Sequence, residues 1–181
     1  MKKINVSTDR LRIRPVHLSD LEEVHALHST PEVDEYNTLG IPTNIGQTQS
    51  ILCEWVLSQD KEEDRKLTLA VENEEGSFIG LVALNFGRQV YRSAEVWFKY
   101  HKRFWNKGYA TEALKAVIDL AFDDLGLHRL EAGCAVENLG SKKVLEKVGM
   151  IQEGRKRKCL PLGDKWSDTL EFGMLIEDRG V

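Results

Sequence analysis

The chain has 181 residues, 30% of them charged and 41% hydrophobic, and a formal charge of −4. That length holds one domain, 1–181, comfortably and two poorly. The net charge excludes a global basic field for DNA or RNA, and no apolar run is long enough to span a bilayer as a helix. Three scattered cysteines, Cys53, Cys134 and Cys159, show no metal-ligand spacing. They are expected as small buried apolar groups. Behind Met1-Lys2-Lys3 there is no apolar signal region. The expected location is therefore the reducing cytoplasm, with no metal and no membrane.

Arg10-Leu11-Arg12-Ile13-Arg14-Pro15-Val16 alternates charged and apolar residues, the pattern of a half-buried strand, and Pro15 places it near an edge or an end. Ser19 is a candidate N-cap, with Glu22 three residues on, for a helix through Val24 and Leu27. His25 and His28, three apart, are expected as ordinary surface or half-buried histidines. Residues 30–46, with Pro31, Gly40, Pro42 and Gly46, read as a loop or broken helix. Within it Asp34, Glu35, Tyr36 and Asn37 face either a substrate or solvent. Thr48, Ile51, Leu52, Trp55 and Val56 follow helical spacing, and the charged run from Asp60 to Lys66 reads as a solvated helix end or turn.

Two β-prone runs, Leu67 to Glu72 and Phe78 to Asn85, flank the polar turn Asn73-Glu74-Glu75-Gly76 and predict an antiparallel hairpin. After a turn-rich segment comes Ala94-Glu95-Val96-Trp97-Phe98-Lys99-Tyr100, a third strand of a meander. Then follow Trp105-Asn106-Lys107-Gly108-Tyr109-Ala110-Thr111 and a helix with apolar residues at Ala113, Leu114, Val117, Ile118, Ala121, Phe122 and Leu125. That period holds for about four turns. Glu112, Lys115, Asp119 and Asp123 take the opposite face. A strand, a Gly-containing turn and a helix leave the first N–H groups of the helix unpaired, with the positive end of its dipole behind them. Such a turn is a site for an anion, most naturally a phosphate. Gly108 and the small Ala110 let a ligand come close to the backbone. Neither a Gly-Lys-Ser/Thr ending nor a Gly-x-Gly-x-x-Gly spacing is present, so the turn is not that of a nucleotide P-loop or a dinucleotide fingerprint.

Gly126 is expected to stop the helix. His128 to Val136 reads as a strand, parallel to the Glu95 strand if both share a sheet. Glu137-Asn138-Leu139-Gly140-Ser141 introduces a short helix that Gly149 closes. Two strands, Met150–Leu160 and Thr169–Ile176, are expected around a turn at Pro161 to Lys165. Arg155-Lys156-Arg157-Lys158 is read as a solvated edge; as a nucleic-acid patch it is four residues in an acidic chain.

This order of elements, with Glu-Asn-x-x-Ser-x-x-x-Leu-Glu-Lys-x-Gly near the end, resembles the GNAT superfamily of acetyl-CoA-dependent N-acetyltransferases. More narrowly it is similar to the ribosomal-protein N-terminal (Rim-type) acetyltransferase branch. Four stretches carry the likeness: Thr8 to Arg14, Trp105 to Ala113, Glu137 to Gly149, and Trp166-Ser167-Asp168. The family pattern has Gln or Arg where this chain has Trp105, which removes one phosphate-clamping side chain; Lys107 either supplies that charge or is solvated.

The resemblance implies an α+β fold, a mixed, mostly antiparallel sheet splayed at its centre with flanking helices, and acetyl-CoA as co-substrate in the gap. Asn106, Lys107, Gly108, Tyr109, Ala110 and Thr111 would hold the pyrophosphate. Backbone groups near Phe98 and Tyr100 would hold the pantetheine and polarise the thioester. Asn138 and Ser141 would touch the CoA arm. Glu95 is then either the general base or a structural carboxylate, and Ser141 either the proton donor to sulfur or a helix-terminal cap. Tyr100 and Tyr109 are rival hydroxyls. The acceptor would be an amine: a protein N-terminus such as that of a ribosomal protein, a polyamine or an aminoglycoside. Residues 30–46 and Asp164 to Asp168 would line its side with a mild acidic bias. A non-catalytic acyl-CoA-binding module is the alternative of another class, and the family suggests a homodimer.

Overall fold

The structure is a computed structural model that describes residues 4–59, 61 and 65–179. Met1 to Lys3 and most of the charged run from Asp60 to Lys66 lie outside the described residues. The elements are β1 (Val6–Ser7), β2 (Leu11–Pro15), α1 (Leu21–His28), α2 (Pro31–Asp34), α3 (Ile45–Ser58), β3 (Lys66–Asn73), β4 (Phe78–Phe86), β5 (Ser93–Tyr100), α4 (Tyr109–Asp119), β6 (Arg129–Ala135), α5 (Leu139–Lys147), β7 (Ile151–Leu162) and β8 (Lys165–Leu175). The strands form one sheet in the order β1-β2-β3-β4-β5-β6-β8-β7. Every pairing is antiparallel except β5 with β6.

β3 and β4 are buried along nearly their whole length, because helices cover both faces of the sheet, and so their sequences are continuous apolar runs. One core joins Leu67, Leu69, Val82 and Leu84 to Ala113, Leu114 and Val117 of α4 and to Leu145 of α5. The other joins Ala70, Phe78 and Leu81 to Val24 and Leu27 of α1 and to Leu52 and Trp55 of α3. The expected hairpin is β3–β4, and Pro15 is the last residue of its strand. Gly126 and Gly149 take the left-handed conformation that ends their helices.

Five expectations change. The N-cap at Ser19 is not formed. A short 3₁₀ turn, Leu18–Asp20, precedes α1, and Asp20 accepts a bond from the His17 N–H at 2.8 Å while Arg14 forks onto the Asp20 carboxylate. The long helix is α-helical only to Asp119. A wide π turn over Leu120–Asp124 follows, and it brings three consecutive residues, Leu120, Ala121 and Phe122, into the core, which a 3.6-residue period does not do. Glu112 is not on a solvated face, because Thr8 and Arg10 reach across to it. The last hairpin is tighter than expected, with β7 and β8 paired out to Leu162 opposite Lys165; β7 is the sheet edge, where Pro161 sacrifices no ladder bond. Cys53 is half-buried and Cys134 buried, but Cys159 is exposed on that edge strand.

The feature that positions the site is the brevity of the β5–β6 pairing. It runs from Ser93 opposite Arg129 only to Glu95 opposite Glu131. β5 then continues to Tyr100 and β6 to Ala135 without each other.

Candidate active site

The open edges follow from the register. The His101 N–H donates to the Ile79 carbonyl at 3.0 Å, which sets the phase of the β4–β5 ladder. Glu95, Trp97 and Lys99 exchange bonds with β4, so Val96, Phe98 and Tyr100 turn their N–H and C=O groups toward β6. On β6 the Val136 N–H donates to Asp168 and the Ile176 N–H to His128, both at 3.1 Å. By the same alternation Gly133 and Ala135 turn their backbone toward β5. Past Glu95 and Glu131, two strands thus aim peptide groups at each other across a widening gap.

At the far end of β5 the chain makes a 3₁₀ turn, Lys102–Phe104, and enters the Trp105–Gly108 turn. The Trp105 indole N–H donates to the Tyr100 carbonyl at 2.8 Å, which closes the turn onto β5 and takes that carbonyl out of the gap. Asn106 (φ 57°) and Gly108 (φ 82°) both lie in the left-handed region. Gly108 is the N-cap of α4 and no side chain caps the helix; its first internal bond is Glu112 N–H to the Gly108 carbonyl at 3.0 Å. The N–H groups of Tyr109, Ala110 and Thr111 therefore have no partner within the helix. The Lys107 ammonium sits 5.5 Å from the centre of the Phe104 ring.

Arg10, whose role the sequence did not reveal, braces this turn. It donates to Glu112 through Nε at 2.8 Å and to the Lys107 carbonyl through Nη1 at 3.1 Å, and it stacks 4.6 Å from the centre of the Tyr109 ring. Thr8 Oγ1 donates to Glu112 at 2.6 Å. Partial burial pushes the Glu112 carboxyl up, but the bonds from Thr8 and Arg10 outweigh it and hold the pKa below its ordinary value. The only hint of this in the sequence is the Thr8 to Arg14 stretch, 98 to 104 residues away from Glu112.

The two tyrosines differ from a pair of rival proton donors. The Tyr100 hydroxyl is buried in the core, and burial, with Glu112 nearby, pushes its pKa up. Tyr109 is half-buried and packs edge-on to Phe104 at 6.1 Å between ring centres.

On the other side of the gap, Asn138 caps α5: its Oδ1 accepts from the Ser141 N–H at 3.0 Å. Ser141 is therefore the residue that is capped, and its hydroxyl is left to lie near the Cys134 thiol, which burial pushes up to about 11. Glu95 is exposed at the point where the strands part. Its side chain shares a face with Trp97 and Lys99, opposite Ala94 and Val96.

That face is the one α1 and α3 cover, and the segment after α1 lies along it. Asp34 stands 3.8 Å from Lys99, and Glu32 bonds Lys102 at 2.8 Å. Tyr36 comes close to Glu137; its own burial, a bond to Glu35 and the Glu137 charge all push its pKa up. The Glu137 carboxylate accepts from Ser167 Oγ at 2.6 Å, which holds its pKa down. Asp168 is taken by Arg155 at 2.7 Å and by the Lys158 N–H at 2.9 Å. Of the acidic side chains expected to line this side, Asp34 and Asp168 are thus already paired, whereas Glu137 was not singled out from the sequence.

Residues 10–151 match the family model described as an acetyltransferase (GNAT) domain. The chain is 32% identical over 177 residues to the probable N-acetyltransferase YjcK of Bacillus subtilis strain 168, covering 92% of this chain and 94% of that one. It is 26% identical over 166 residues to a spermidine N(1)-acetyltransferase of Vibrio cholerae, covering 92% and 93%. A crystal structure of a GNAT-family acetyltransferase from Bacillus anthracis superposes with a TM-score of 0.83 at 28% identity, over 96% of this chain and 99% of that one. The splayed mixed sheet and the uncapped helix start beside it are thus those of a known family, and the chain belongs to the GNAT acetyltransferases, as an acetyl-CoA-dependent N-acetyltransferase.

Proposed function

We propose that the chain transfers the acetyl group of acetyl-CoA to a primary amine at the N-terminus of a protein chain, a ribosomal protein being the first candidate. One observation carries the donor half of this reading: free peptide edges of β5 and β6 open directly beside the uncapped start of α4. In the proposal the N–H groups of Tyr109, Ala110 and Thr111, with Asn106, Lys107 and Gly108, hold the pyrophosphate. The backbone of Phe98 and the N–H of Tyr100 hold the pantetheine arm and polarise the thioester carbonyl. Asn138 and Ser141 meet the arm from the α5 side. The amine nitrogen bonds to the acetyl carbon, the carbon–sulfur bond breaks, and the amine's proton passes to Glu95 directly or through water. The departing thiolate takes a proton from Ser141 or from solvent.

A small polyamine is the second reading. Similarity to the spermidine acetyltransferase favours it, as do Glu35, Glu95 and Glu137, which remain to receive a cation once Asp34 and Asp168 are paired. Free-thiol release from acetyl-CoA against N-terminal peptides, lysine peptides, polyamines and aminoglycosides decides between them. Release with N-terminal peptides is expected. Release with polyamines alone replaces the first reading by the second, and release with none of the panel, despite calorimetric CoA binding, sinks both.

A further inference from the structure

α2 and the residues that follow it are weakly anchored by apolar contact. No residue of α2 is buried, no side chain caps it, and of its four residues only Val33 packs against a core. What ties this segment to the sheet is charge. Asp34, at the end of α2, faces Lys99 of β5, and Glu32 faces Lys102 just beyond β5. The two pairs are not equivalent. Glu32 and Lys102 are both largely exposed, where screening and side-chain freedom leave an ion pair little weight. The side chains of Lys99 and Asp34 are 8% and 15% exposed, and at 3.8 Å they meet as charges without a direct hydrogen bond, each being the other's nearest compensation. Charges that far from water are costly to separate, because removing either leaves the other without compensation.

Lys99 also occupies a particular place on β5. Its neighbours Phe98, with both peptide groups, and Tyr100, with its N–H, face the gap, while its own side chain lies on the α1/α3 face and reaches Asp34. His28 of α1 is buried close enough to Lys99 to feel its charge.

We propose that Lys99 is a positioning residue for the acceptor: by holding Asp34 it keeps the segment 31–44 in register with the open edge of β5. This rests on the reading of that segment as the acceptor side of the site. The geometry links the two substrates through one strand, with the peptide groups of Phe98 and Tyr100 for the donor and the Lys99 side chain for the segment that meets the acceptor.

Amide hydrogen exchange and steady-state kinetics on Lys99→Met, Lys99→Arg, Asp34→Asn and Lys102→Ala test this. Exchange in 31–44 is expected to accelerate about tenfold or more in Lys99→Met and Asp34→Asn and to stay within about twofold of the parent in Lys99→Arg and Lys102→Ala, a contrast that follows from burial. The acceptor KM is expected to rise in the first two variants while acetyl-CoA affinity holds. Unchanged exchange in both Lys99→Met and Asp34→Asn overturns the proposal, and so does an acceptor KM that does not move when exchange accelerates. Asp34→Asn, nearly isosteric, carries the test if Lys99→Met does not fold. The exchange arm is read without turnover, so it decides on the Lys99–Asp34 clasp even if no acceptor in the panel proves to be a substrate.

Discussion

Gly108 stands at φ 82° as the N-cap of α4, and a Cβ placed there would lie 3.4 Å from Arg10 Nη2. Glycine supplies the left-handed backbone that turns the chain into the helix, and it places no side chain beside the N–H groups of Tyr109 to Thr111. An L-residue in this conformation costs roughly 1–2 kcal/mol, which achiral glycine avoids. Gly108→Glu is therefore expected to lower the melting temperature modestly. It is expected to weaken acetyl-CoA far more, because bulk and negative charge then stand where the pyrophosphate is proposed to sit and because the new carboxylate competes with Glu112 for Arg10. Titration calorimetry checks it: a loss of affinity of about tenfold, some 1.4 kcal/mol, is the minimum expected, and unchanged affinity rules out this turn as the phosphate site. Arg10 and Glu112 show why single positions in this turn are hard to read in isolation, since each is ordinary along the sequence and acquires its role only beside the other.

At the scale of elements, β4 and β5 form the scaffold on which the gap depends. Gly80 of β4 lies opposite Tyr100, and a Cβ at Gly80 would stand 2.4 Å from the Lys99 carbonyl oxygen and 2.6 Å from the Tyr100 ring. The close approach is to backbone, so the strand itself must shift to relieve it. Gly80→Ala is expected to destabilise the fold by about 1–3 kcal/mol, the usual cost of overpacking, read as a lower urea midpoint with an unchanged slope. A midpoint at or above that of the parent would show that β5 yields freely. The α4 helix makes the complementary point. Its N-terminal turns obey the 3.6-residue pattern visible in the sequence, whereas the π turn over Leu120–Asp124 answers to the shape of the core, and its trace in the sequence is the apolar run Leu120-Ala121-Phe122, which the helical period passes over.

For the molecule as a whole, the buried polar residues between β5 and the α1/α3 layer make stability depend on pH. His28 is buried beside Trp55; that burial, then the charges of Lys99 and His25, lowers its pKa from 6.5 to about 4. Asp34 faces the same Lys99. As pH falls through 6.5 the unfolded chain takes up a proton on His28 that the folded chain refuses until about pH 4, so stability falls across that window. From pH 7 to pH 5 this amounts to about 2 kcal/mol from His28. Urea unfolding at the two pH values is expected to show this loss in the parent protein and a smaller one in His28→Gln; equal losses would assign the acid sensitivity to other groups.

Much of the fold was legible because its signals are local or periodic. The β3–β4 hairpin, the apolar face of α4, the glycine stops at Gly126 and Gly149, and the Glu-Asn-x-x-Ser entry to α5 each depend on residues a few positions apart. The Gly-containing turn from Trp105 to Thr111, with the free N–H groups of the helix it opens, belongs with them, since strand, glycine and helix start are contiguous. The tertiary structure alone decided where β5 and β6 part after Glu95, that Trp105 closes onto Tyr100, that Arg10 and Thr8 hold Glu112, that Tyr100 is buried, and that Asp34 is given to Lys99 and Asp168 to Arg155. The reason is physical. Local sequence sets which backbone groups a turn leaves free and which face of an element is apolar, whereas the partner of a charged or polar side chain is chosen by what the packed layers bring within hydrogen-bonding reach, often from a hundred residues away.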